Sequence, residues 1–435
     1  MNLGFYIIMA AQFFSSLADN ALLVAAIAML MQSHEPSSLI PYLKFFFVLS
    51  YVLLAPYVGA FADRLPKGHV MFLTNALKIV GCGLMLFGVN PLAAYALVGL
   101  GAAAYSPAKY GILTEYLPPT RLVLANGWIE GLTVTSIILG TALGGALINR
   151  GVAGVLLGFD LPFFDTGVDT PAEAALCVIT VVYAVAAVFN LYVPRTGAPI
   201  KHMHGSALAT LKDFYRCNLR LWRDKLGQIS LAVTTLFWGV GATLQFIVIE
   251  WSRAALGFDL SKASILQSVV ALGIAVGAIA ASVRIPLHHS VRVIPLGIAM
   301  GVVVMAMVAA RNVWVAVPLM ILIGALAGFF VVPMNALLQH RGHNLMGAGR
   351  SIAVQNFNEN LSILAIIALY STLLGHGLSI YWVIVLFGLF VAATMTLVGL
   401  WYLRNRRLHR RKIDRLLSFA RSEDYHHHRR FRAEH

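Results

Sequence analysis

Charged residues are scarce in this chain of 435 residues, because only 11% are Asp, Glu, Lys or Arg, against about 25% in soluble globular domains. Hydrophobic residues make up 59%, and the mean hydropathy is +0.79. Apolar runs of about 20 residues recur along almost the whole chain, and each is long enough to cross a bilayer as a helix. The scarcity of charge therefore excludes a water-soluble protein and predicts one that lies mostly within a membrane.

Cysteine is rare as well, with three residues in the chain. Cys82, Cys177 and Cys217 lack the spacing of metal ligands, and an odd number gives no complete disulfide framework, so we expect packing roles and neither a metal nor a cofactor. One enzyme-like pattern is His409 followed by Asp414, an H-x4-D spacing similar to that of glycerolipid acyltransferases. Because it lies in a run of Arg and Lys with no domain around it, we predict that the protein is not an enzyme. A membrane acyltransferase is kept as an alternative.

Long apolar runs predict an all-α membrane protein with twelve transmembrane helices. A transmembrane β-barrel is excluded, since its strands are about 10 residues long and alternate polar with apolar residues. The first run contains Asp19 and has no basic residue before it, so we expect a retained helix and not a cleaved signal peptide. The predicted spans are 5–31, 40–62, 69–89, 92–115, 122–149, 173–194, 227–256, 262–284, 291–310, 313–339, 349–374 and 378–403.

Basic residues between the spans predict the orientation. With a cytoplasmic amino terminus, 25 of the 32 Lys and Arg residues fall on the cytoplasmic side and four on the opposite side. Since Lys and Arg are enriched in cytoplasmic loops, both termini are predicted in the cytoplasm. The formal net charge of +14 then reflects topology and contact with anionic membrane lipids, and no nucleic-acid partner is expected.

A long basic segment divides six spans from six, as in two parallel six-helix pseudo-repeats. Weak internal similarity agrees, because segments 59–66 and 277–286 share a pattern of small residues followed by Arg and Pro. We expect a monomer. The predicted regions are an N-terminal six-helix bundle over 1–194, a cytoplasmic basic linker over 195–226, a C-terminal six-helix bundle over 227–403 and a basic cytoplasmic tail over 404–435.

Polar residues inside the spans are candidates for a substrate site, because an ionisable group in hydrocarbon costs about 2.5–3.5 kcal/mol and marks a pathway or a paired interior. A zwitterionic ligand with a phosphate needs a cation for the phosphate and a carboxylate for the amine. Lys109 is the first choice for the phosphate and Asp19 for the amine; alternatively, Asp19 simply pairs with Lys78 or Lys109 to neutralise the interior. The candidate substrate-binding residues are Asp19, Asn20, Lys78, Lys109, Glu130, Gln245, Asn335, Gln355, Asn356 and Glu359.

The turn between spans two and three is a candidate conformational latch. Small residues from Gly59 to Ala62 permit close helix packing just before Asp63, a carboxylate suited to a neighbouring helix N-terminus. The alternative is an ordinary basic turn at the cytoplasmic face. The predicted latch residues are Gly59, Asp63, Arg64 and Lys67.

The same turn resembles the signature G-x-x-x-D-R-x-G-R-[KR] of the major facilitator superfamily, with Pro66 and Lys67 where Gly and Arg are usual. Longer blocks resemble the bacterial lysophospholipid transporter family, and the resemblance runs from about Ala10 to Trp401. These blocks are Ala18 to Leu22 (ADNAL), Gly101 to Leu113 (GAAAYSPAKYGIL), Leu236 to Gly241 (LFWGVG) and Gly328 to Gln339 (GFFVVPMNALLQ).

The resemblance implies facilitated diffusion of lysophospholipids, chiefly 2-acyl-glycerophosphoethanolamine, across the bacterial inner membrane to the cytoplasmic leaflet. It also implies a pathway partner, a cytoplasmic acyltransferase with acyl-carrier-protein synthetase activity, which re-acylates them. The family pattern has Arg in span seven where this chain has Gln245, so a phosphate contact there shifts to Lys109 or is lost. We expect alternating access, with the headgroup between the halves near Asp19, Lys109 and the span-eleven amides and the acyl chain trailing into lipid.

Two further functions stay open. A proton-coupled exporter of amphipathic drugs would use Asp19 or Glu130 as the titrating carboxylate, and an uncoupler would stop its transport. A structural anchor for a cytoplasmic acyltransferase would keep its function after Asp19→Asn or Lys109→Ala.

Overall fold

The computed structural model describes residues 3–32, 40–157, 169–197, 206–258 and 260–418, and helices are the regular secondary structure throughout these ranges. Two 3-10 segments, Leu287–Val293 and Ala306–Ala309, flank α12, and residues 410–418 are helical after α15. The α-helices are α1 (Leu3–Gln32), α2 (Ile40–Leu53), α3 (Ala55–Arg64), α4 (Lys67–Leu86), α5 (Pro91–Tyr116), α6 (Pro119–Ile148), α7 (Arg150–Leu157), α8 (Pro171–Leu191), α9 (Ala207–Arg223), α10 (Gly227–Leu256), α11 (Leu260–Arg284), α12 (Ile294–Met305), α13 (Val313–Met346), α14 (Ala348–Gly375) and α15 (Ile380–Leu408).

Each predicted span coincides with a helix or with consecutive helical segments. Within the described residues, ten helices are long and apolar enough to cross a membrane, and α2 with α3 makes an eleventh if the pair is one span. The predicted span 92–115 coincides with the 26-residue helix α5, which is outside that count of ten or eleven. The prediction of an all-α membrane fold is therefore confirmed.

The predicted span 40–62 is broken rather than straight. Helices α2 and α3 are bent by 65° across the break at Leu54. Pro56 lies in the first turn of α3. In an unbroken helix its missing N–H would remove a hydrogen bond and its ring would clash with the carbonyl four residues earlier, so the chain bends before it.

The chain packs into two units. Unit 1 consists of Met1–Ile112 and Thr135–Leu211. Its core lies where α1 and α4 pack on α8, and small side chains such as Ala18 and Ala175 let these helices approach closely around Tyr183. A capping box between Thr170 and Glu173 begins α8 by satisfying backbone N–H groups of its first turn.

Unit 2 consists of Leu113–Val134 and Lys212–His435, and its core pairs α10 with α14 and α12 with α15. The segment 113–134, which the sequence-based division assigns to the N-terminal bundle, thus packs with unit 2. Asn126 in this segment exchanges hydrogen bonds with Gln339. The division into two bundles of six spans stays a prediction.

Helices α11 and α13 of unit 2 meet along a seam of glycines. A methyl group placed on Gly277 would strike the backbone carbonyl of Ala325, and one on Gly328 would lie 2.9 Å from the amide nitrogen of Ala278. Gly273 and Gly324 face each other's backbones in the same way. Small residues at this spacing allow backbone contact between membrane helices.

The predicted linker 195–226 contains a helix that sequence reasoning missed. Helix α9 is amphipathic, and from Lys212 onward it belongs to unit 2. Its Cys217 and Leu221 pack with Leu338 and Val354 in a buried apolar cluster. The region is therefore partly a docked structural element and not only a connection.

Candidate functional site

Unit 1 contains a buried ion pair in the middle of its helices. Lys78 of α4 is 0% exposed, and its Nζ lies 2.8 and 2.9 Å from the two carboxylate oxygens of Asp19 in α1. The Tyr183 hydroxyl donates to Asp19 Oδ1 at 2.7 Å. Because the Asp19 side chain stays 22% exposed, one edge of the pair remains accessible. The structure realises the alternative in which Asp19 pairs with Lys78 to neutralise the interior.

Neutral groups complete this cluster, and sequence reasoning missed them. Lys78 Nζ donates to Ser15 Oγ at 3.2 Å, and Ser15 donates to Asn75 Oδ1 at 2.8 Å. The ammonium also lies 5.0 Å from the ring centroid of Tyr105 and 5.5 Å from that of Tyr183. Ser15 precedes Asp19 by four residues and Asn75 precedes Lys78 by three, and that helical spacing is the signal that would have found them.

Two other predicted residues of unit 1 have separate surroundings. Lys109 of α5 is half-buried, with Nζ 4.7 Å from the ring centroid of Tyr110. The Asn20 amide donates to the backbone oxygen of Ser16 at 2.8 Å, on its own helix. Of the two candidate substrate-binding lysines of this unit, Lys109 is thus the more accessible and Lys78 is enclosed.

Unit 2 buries carboxylates among amides. The Gln355 amide donates to Glu359 Oε1 at 2.8 Å and to Asn335 Oδ1 at 3.1 Å. Glu130 of α6 is 4% exposed and close enough to act electrostatically on Glu359. Among the described residues, no ion pair involves Glu359, and Gln355 Oε1 accepts no hydrogen bond. Asn335, Gln355 and Glu359 from two helices therefore meet here with acceptor atoms in excess, and Glu130 of α6 lies within electrostatic range.

Two further predicted residues of unit 2 lie on α10 and α14. Gln245 is exposed on α10, where its backbone oxygen accepts from the Gln267 amide at 2.6 Å. Asn356 is buried on α14, and its backbone oxygen accepts from the Asn360 amide at 2.8 Å. Because Gln245 is exposed, its side chain lies apart from the buried amides. A substrate contact by Gln245 stays a prediction.

The predicted latch turn closes on itself through Lys67. Its Nζ donates to Asp63 Oδ1 at 2.9 Å and to the Ala62 carbonyl at 2.6 Å, and both charged side chains are buried. Gly59 is buried and Arg64 is exposed. A cation on the last carbonyls of α3 is favourable because that helix end carries negative partial charge. Asp63 thus binds the side chain of the first residue of α4.

Outside the spans, Asp224 caps the start of α10 and forms a third buried ion pair, with Arg341. Its carboxylate accepts from Arg341 at 3.2 and 2.9 Å and from the Gly227 amide at 2.8 Å. Burial alone would raise the pKa of Asp224, but the hydrogen bonds and charge of Arg341 with the backbone amides hold it below its usual value. Arg350 pairs with Asp213 of α9 at 3.0 Å. These pairs fasten α9 and its C-terminal turn to unit 2.

The two residues of the enzyme-like pattern lie at and just after the end of α15. Asp414 contacts Arg410 at 3.7 Å, and His409 lies at the C-terminal end of α15. Within the part of the chain that the structure describes, no group of three or more His, Cys, Asp or Glu side chains is placed to hold a metal ion.

Comparison with known proteins assigns the fold. The sequence profile of the Major Facilitator Superfamily matches residues 8–365. Among solved structures, the human organic anion transporter MFSD10 (TETRAN) is similar with a TM-score of 0.69 at 15% identity, over 92% of this chain and 100% of that one. FucP in its outward conformation has a TM-score of 0.69 at 11% identity, over 93% and 98%. These likenesses show the fold alone.

Sequence relatives are more specific. The lysophospholipid transporter LplT of Yersinia enterocolitica is 42% identical over 378 residues, which are 87% of this chain and 89% of that protein. LplT of Photorhabdus laumondii is 39% identical over 399 residues, 92% of this chain and 95% of that protein. The chain belongs to the lysophospholipid transporter family of the Major Facilitator Superfamily.

Proposed function

We propose that this protein moves lysophospholipids, chiefly 2-acyl-glycerophosphoethanolamine, across the bacterial inner membrane to the cytoplasmic leaflet by facilitated diffusion. The relatives named lysophospholipid transporter support the substrate class, and the distribution of Lys and Arg supports cytoplasmic termini. The lipids would then be re-acylated by a cytoplasmic acyltransferase with acyl-carrier-protein synthetase activity. In this proposal the chain is a transporter and carries out no chemistry of its own.

The observation that carries the proposal is the carboxylate of Glu359, which is buried and hydrogen-bonded only by neutral groups among the described residues, the Gln355 amide and the Thr234 hydroxyl. An ionised carboxylate without a counter-charge is costly in such a place, so it favours a ligand that brings a cation. A primary ammonium has three donors, and Glu359 and Gln355 Oε1 offer acceptors for it. Unit 2 therefore supplies the amine-binding groups of the proposal.

The phosphate of the headgroup is assigned to Lys109. Lys78 is fully enclosed with its ammonium on Asp19, and Lys109 is half-buried with its ammonium over the Tyr110 ring. A partly accessible ammonium is a suitable partner for a phosphate oxygen. Within unit 1, Asp19 is paired with Lys78, so the proposal no longer gives the amine to Asp19, where the sequence placed it.

Movement between inward and outward states is proposed to use the buried turn of Asp63 and Lys67 as a latch. Alternating access in this superfamily architecture needs rigid bodies that rock around a substrate site. The closed ion pair at 2.9 Å and the glycine seam of α11 and α13 are features that keep each body rigid.

A transport assay with two headgroups tests the proposal. Spheroplasts expressing the parent chain or Glu359→Gln are given labelled lysophosphatidylethanolamine or lysophosphatidylglycerol, which has no amine. We expect uptake of the amine lipid to fall about tenfold, with the other lipid within about threefold of the parent. Glu250→Gln is the matched control, since that carboxylate is exposed near the end of α10. Unchanged uptake of both lipids by Glu359→Gln would contradict the amine assignment.

A proton-coupled exporter of amphipathic drugs is the second candidate, and the same buried carboxylates favour it. Glu130 and Glu359 could carry a proton in place of a ligand cation, because protonation also removes the cost of a buried charge. Asp19 fits this role less well, since its charge is neutralised by Lys78. An uncoupler distinguishes the two: complete loss of uptake with uncoupler, together with loss of both lipids in Glu359→Gln, would replace facilitated diffusion by proton coupling.

A further inference from the structure

A cavity of about 310 Å³ opens at one end of unit 2, away from the buried amides. It is bounded by the 3-10 segment before α12, by the last turns of α15 and by the helical residues 410–418. The side chains around it that carry polar chemistry are His288, His289, Arg292, Tyr402, Arg406 and Asp414. The lining is dominated by hydrogen-bond donors.

Charge at the cavity is suited to an anion. The lining includes two guanidinium groups, Arg292 and Arg406, and one carboxylate, Asp414. It also includes two neighbouring imidazoles, whose ring centroids are 4.1 Å apart. That carboxylate lies 3.7 Å from Arg410, which offsets part of its charge. Guanidinium groups bind phosphate oxygens in a two-pronged geometry.

The cavity lies at the ends of two membrane spans, and this position favours a lipid headgroup as the anion. The spans Leu287–Ala309 and Ile380–Leu408 begin and end at the cavity, respectively. The ends of membrane helices lie at the depth of lipid headgroups, and basic pockets between helix ends bind anionic headgroups there. The volume is at the lower end of the range of small-ligand pockets, about 300–1,000 Å³, so it fits a headgroup and not a whole lipid.

The helical segment 410–418 packs against the rest of unit 2 and forms part of this cavity. Ile413 is 0% exposed, which anchors the segment to the body of unit 2. Asp414, Leu417 and Ser418 then form one wall of the cavity. The basic tail thus has a folded first part whose packing shapes a pocket.

We propose that this cavity binds the phosphodiester headgroup of an anionic membrane phospholipid, with Arg292 and Arg406 on the phosphate. A free phosphate shares the recognition chemistry, but it lacks the acyl chains that membrane depth would favour. The proposal is independent of the transported substrate, because it concerns another part of unit 2.

Native mass spectrometry of the full chain in detergent tests it, with dioctanoyl-phosphatidylglycerol, dioctanoyl-phosphatidylcholine and inorganic phosphate as probes. We expect the affinity for phosphatidylglycerol to fall about tenfold in the double variant Arg292→Gln, Arg406→Gln, and less than about threefold in the matched control Arg404→Gln, Arg407→Gln. Asp414→Asn should raise that affinity about threefold, which keeps the test valid if the double variant is unstable.

Three outcomes would overturn the proposal. Equal losses in the double variant and its control would show diffuse attraction to the basic chain end. Inorganic phosphate binding as tightly as phosphatidylglycerol would assign the cavity to a soluble anion. Equal binding of phosphatidylcholine would remove the requirement for an anionic lipid.

Discussion

Both units bury an ion pair at helix ends, Asp63 with Lys67 in unit 1 and Asp224 with Arg341 in unit 2, but they treat charge at mid-helix in opposite ways. Unit 1 places a cation and a carboxylate side by side at mid-helix, where Lys78 and Asp19 neutralise each other. Unit 2 keeps its buried ion pair at the helix ends, between Asp224 and Arg341, and surrounds Glu359 at mid-helix with amides. A self-neutralised pair is stable without a ligand, whereas a carboxylate among neutral groups gains from one. The difference separates charges that hold the fold from charges that are suited to a substrate.

The largest loss of stability is expected when Asp19 is replaced by Asn. The ammonium of Lys78 would then be buried without a counter-charge, and we expect a loss of about 3–5 kcal/mol in the free energy of unfolding. Lys78→Met should cost less, because the Asp19 side chain is 22% exposed and keeps the Tyr183 hydroxyl. Thermal unfolding of the purified variants measures both. Adding Lys78→Met to Asp19→Asn should recover part of the loss, and no recovery would argue against a self-neutralised pair.

The ion pair of unit 2 is tested by Asp224→Asn and by acid. Replacing the carboxylate leaves the guanidinium of Arg341 buried, with an expected loss of about 2–3 kcal/mol. Since the pKa of Asp224 is below its usual value in the folded chain, its stabilising contribution is complete above an unfolded pKa of about 3.9 and is lost as pH falls through the folded value. Unfolding midpoints from pH 6 down to about pH 3 should therefore fall more steeply for the parent than for Asp224→Asn. Parallel curves would contradict this assignment.

A smaller effect is expected from the amide pair of unit 2. Asn126 and Gln339 exchange two hydrogen bonds of 2.9 Å each, so Asn126→Leu leaves the partner amide unsatisfied and should cost about 1–3 kcal/mol. The double variant Asn126→Leu, Gln339→Leu removes both partners and should restore much of that stability. Urea or thermal unfolding supplies the double-mutant cycle. Additive losses would mean that the two amides act separately.

The smallest change in stability is expected for Glu359→Gln. Gln at this position still accepts from Gln355, and it removes a buried charge, so the free energy of unfolding should stay within about 1 kcal/mol of the parent or rise. A small change for Glu359→Gln beside a large loss for Asp19→Asn would show that the charge of Asp19 stabilises the fold and that the charge of Glu359 does not. A loss as large as that of Asp19→Asn would show that Glu359 also neutralises a structural cation.

Much of the fold could be predicted from the sequence because membrane helices are encoded by continuous apolar runs. The predicted span 173–194 is observed as Pro171–Leu191, and 69–89 as Lys67–Leu86. Helix α9 was missed because its charged residues hide it from hydropathy, although Leu211, Phe214, Cys217 and Leu221 follow helical spacing. Periodicity within the basic segment is the signal that would have found it.

The candidate site could be predicted only in part. Residue type and depth identified Asp19, Lys78 and Glu359 as costly, since that judgement needs no partner. Which cation pairs with Asp19 depends on how α1 packs on its neighbours, and the sequence left Lys78 and Lys109 open. For Gln245 the predicted helix is observed and the side chain is exposed, but which face of the helix it occupies is set by packing, so its role stays a prediction.

The glycine seam between α11 and α13 also restricts where a lipid tail can leave unit 2. A methylene chain needs carbon separations of about 3.5–4.0 Å on each side, so a passage between two backbones must be roughly 7–8 Å wide. At the seam even one methyl group on Gly328 would lie 2.9 Å from the amide nitrogen of Ala278. An acyl chain therefore cannot pass between α11 and α13 at the seam. A lateral exit from this unit has to lie between other helices.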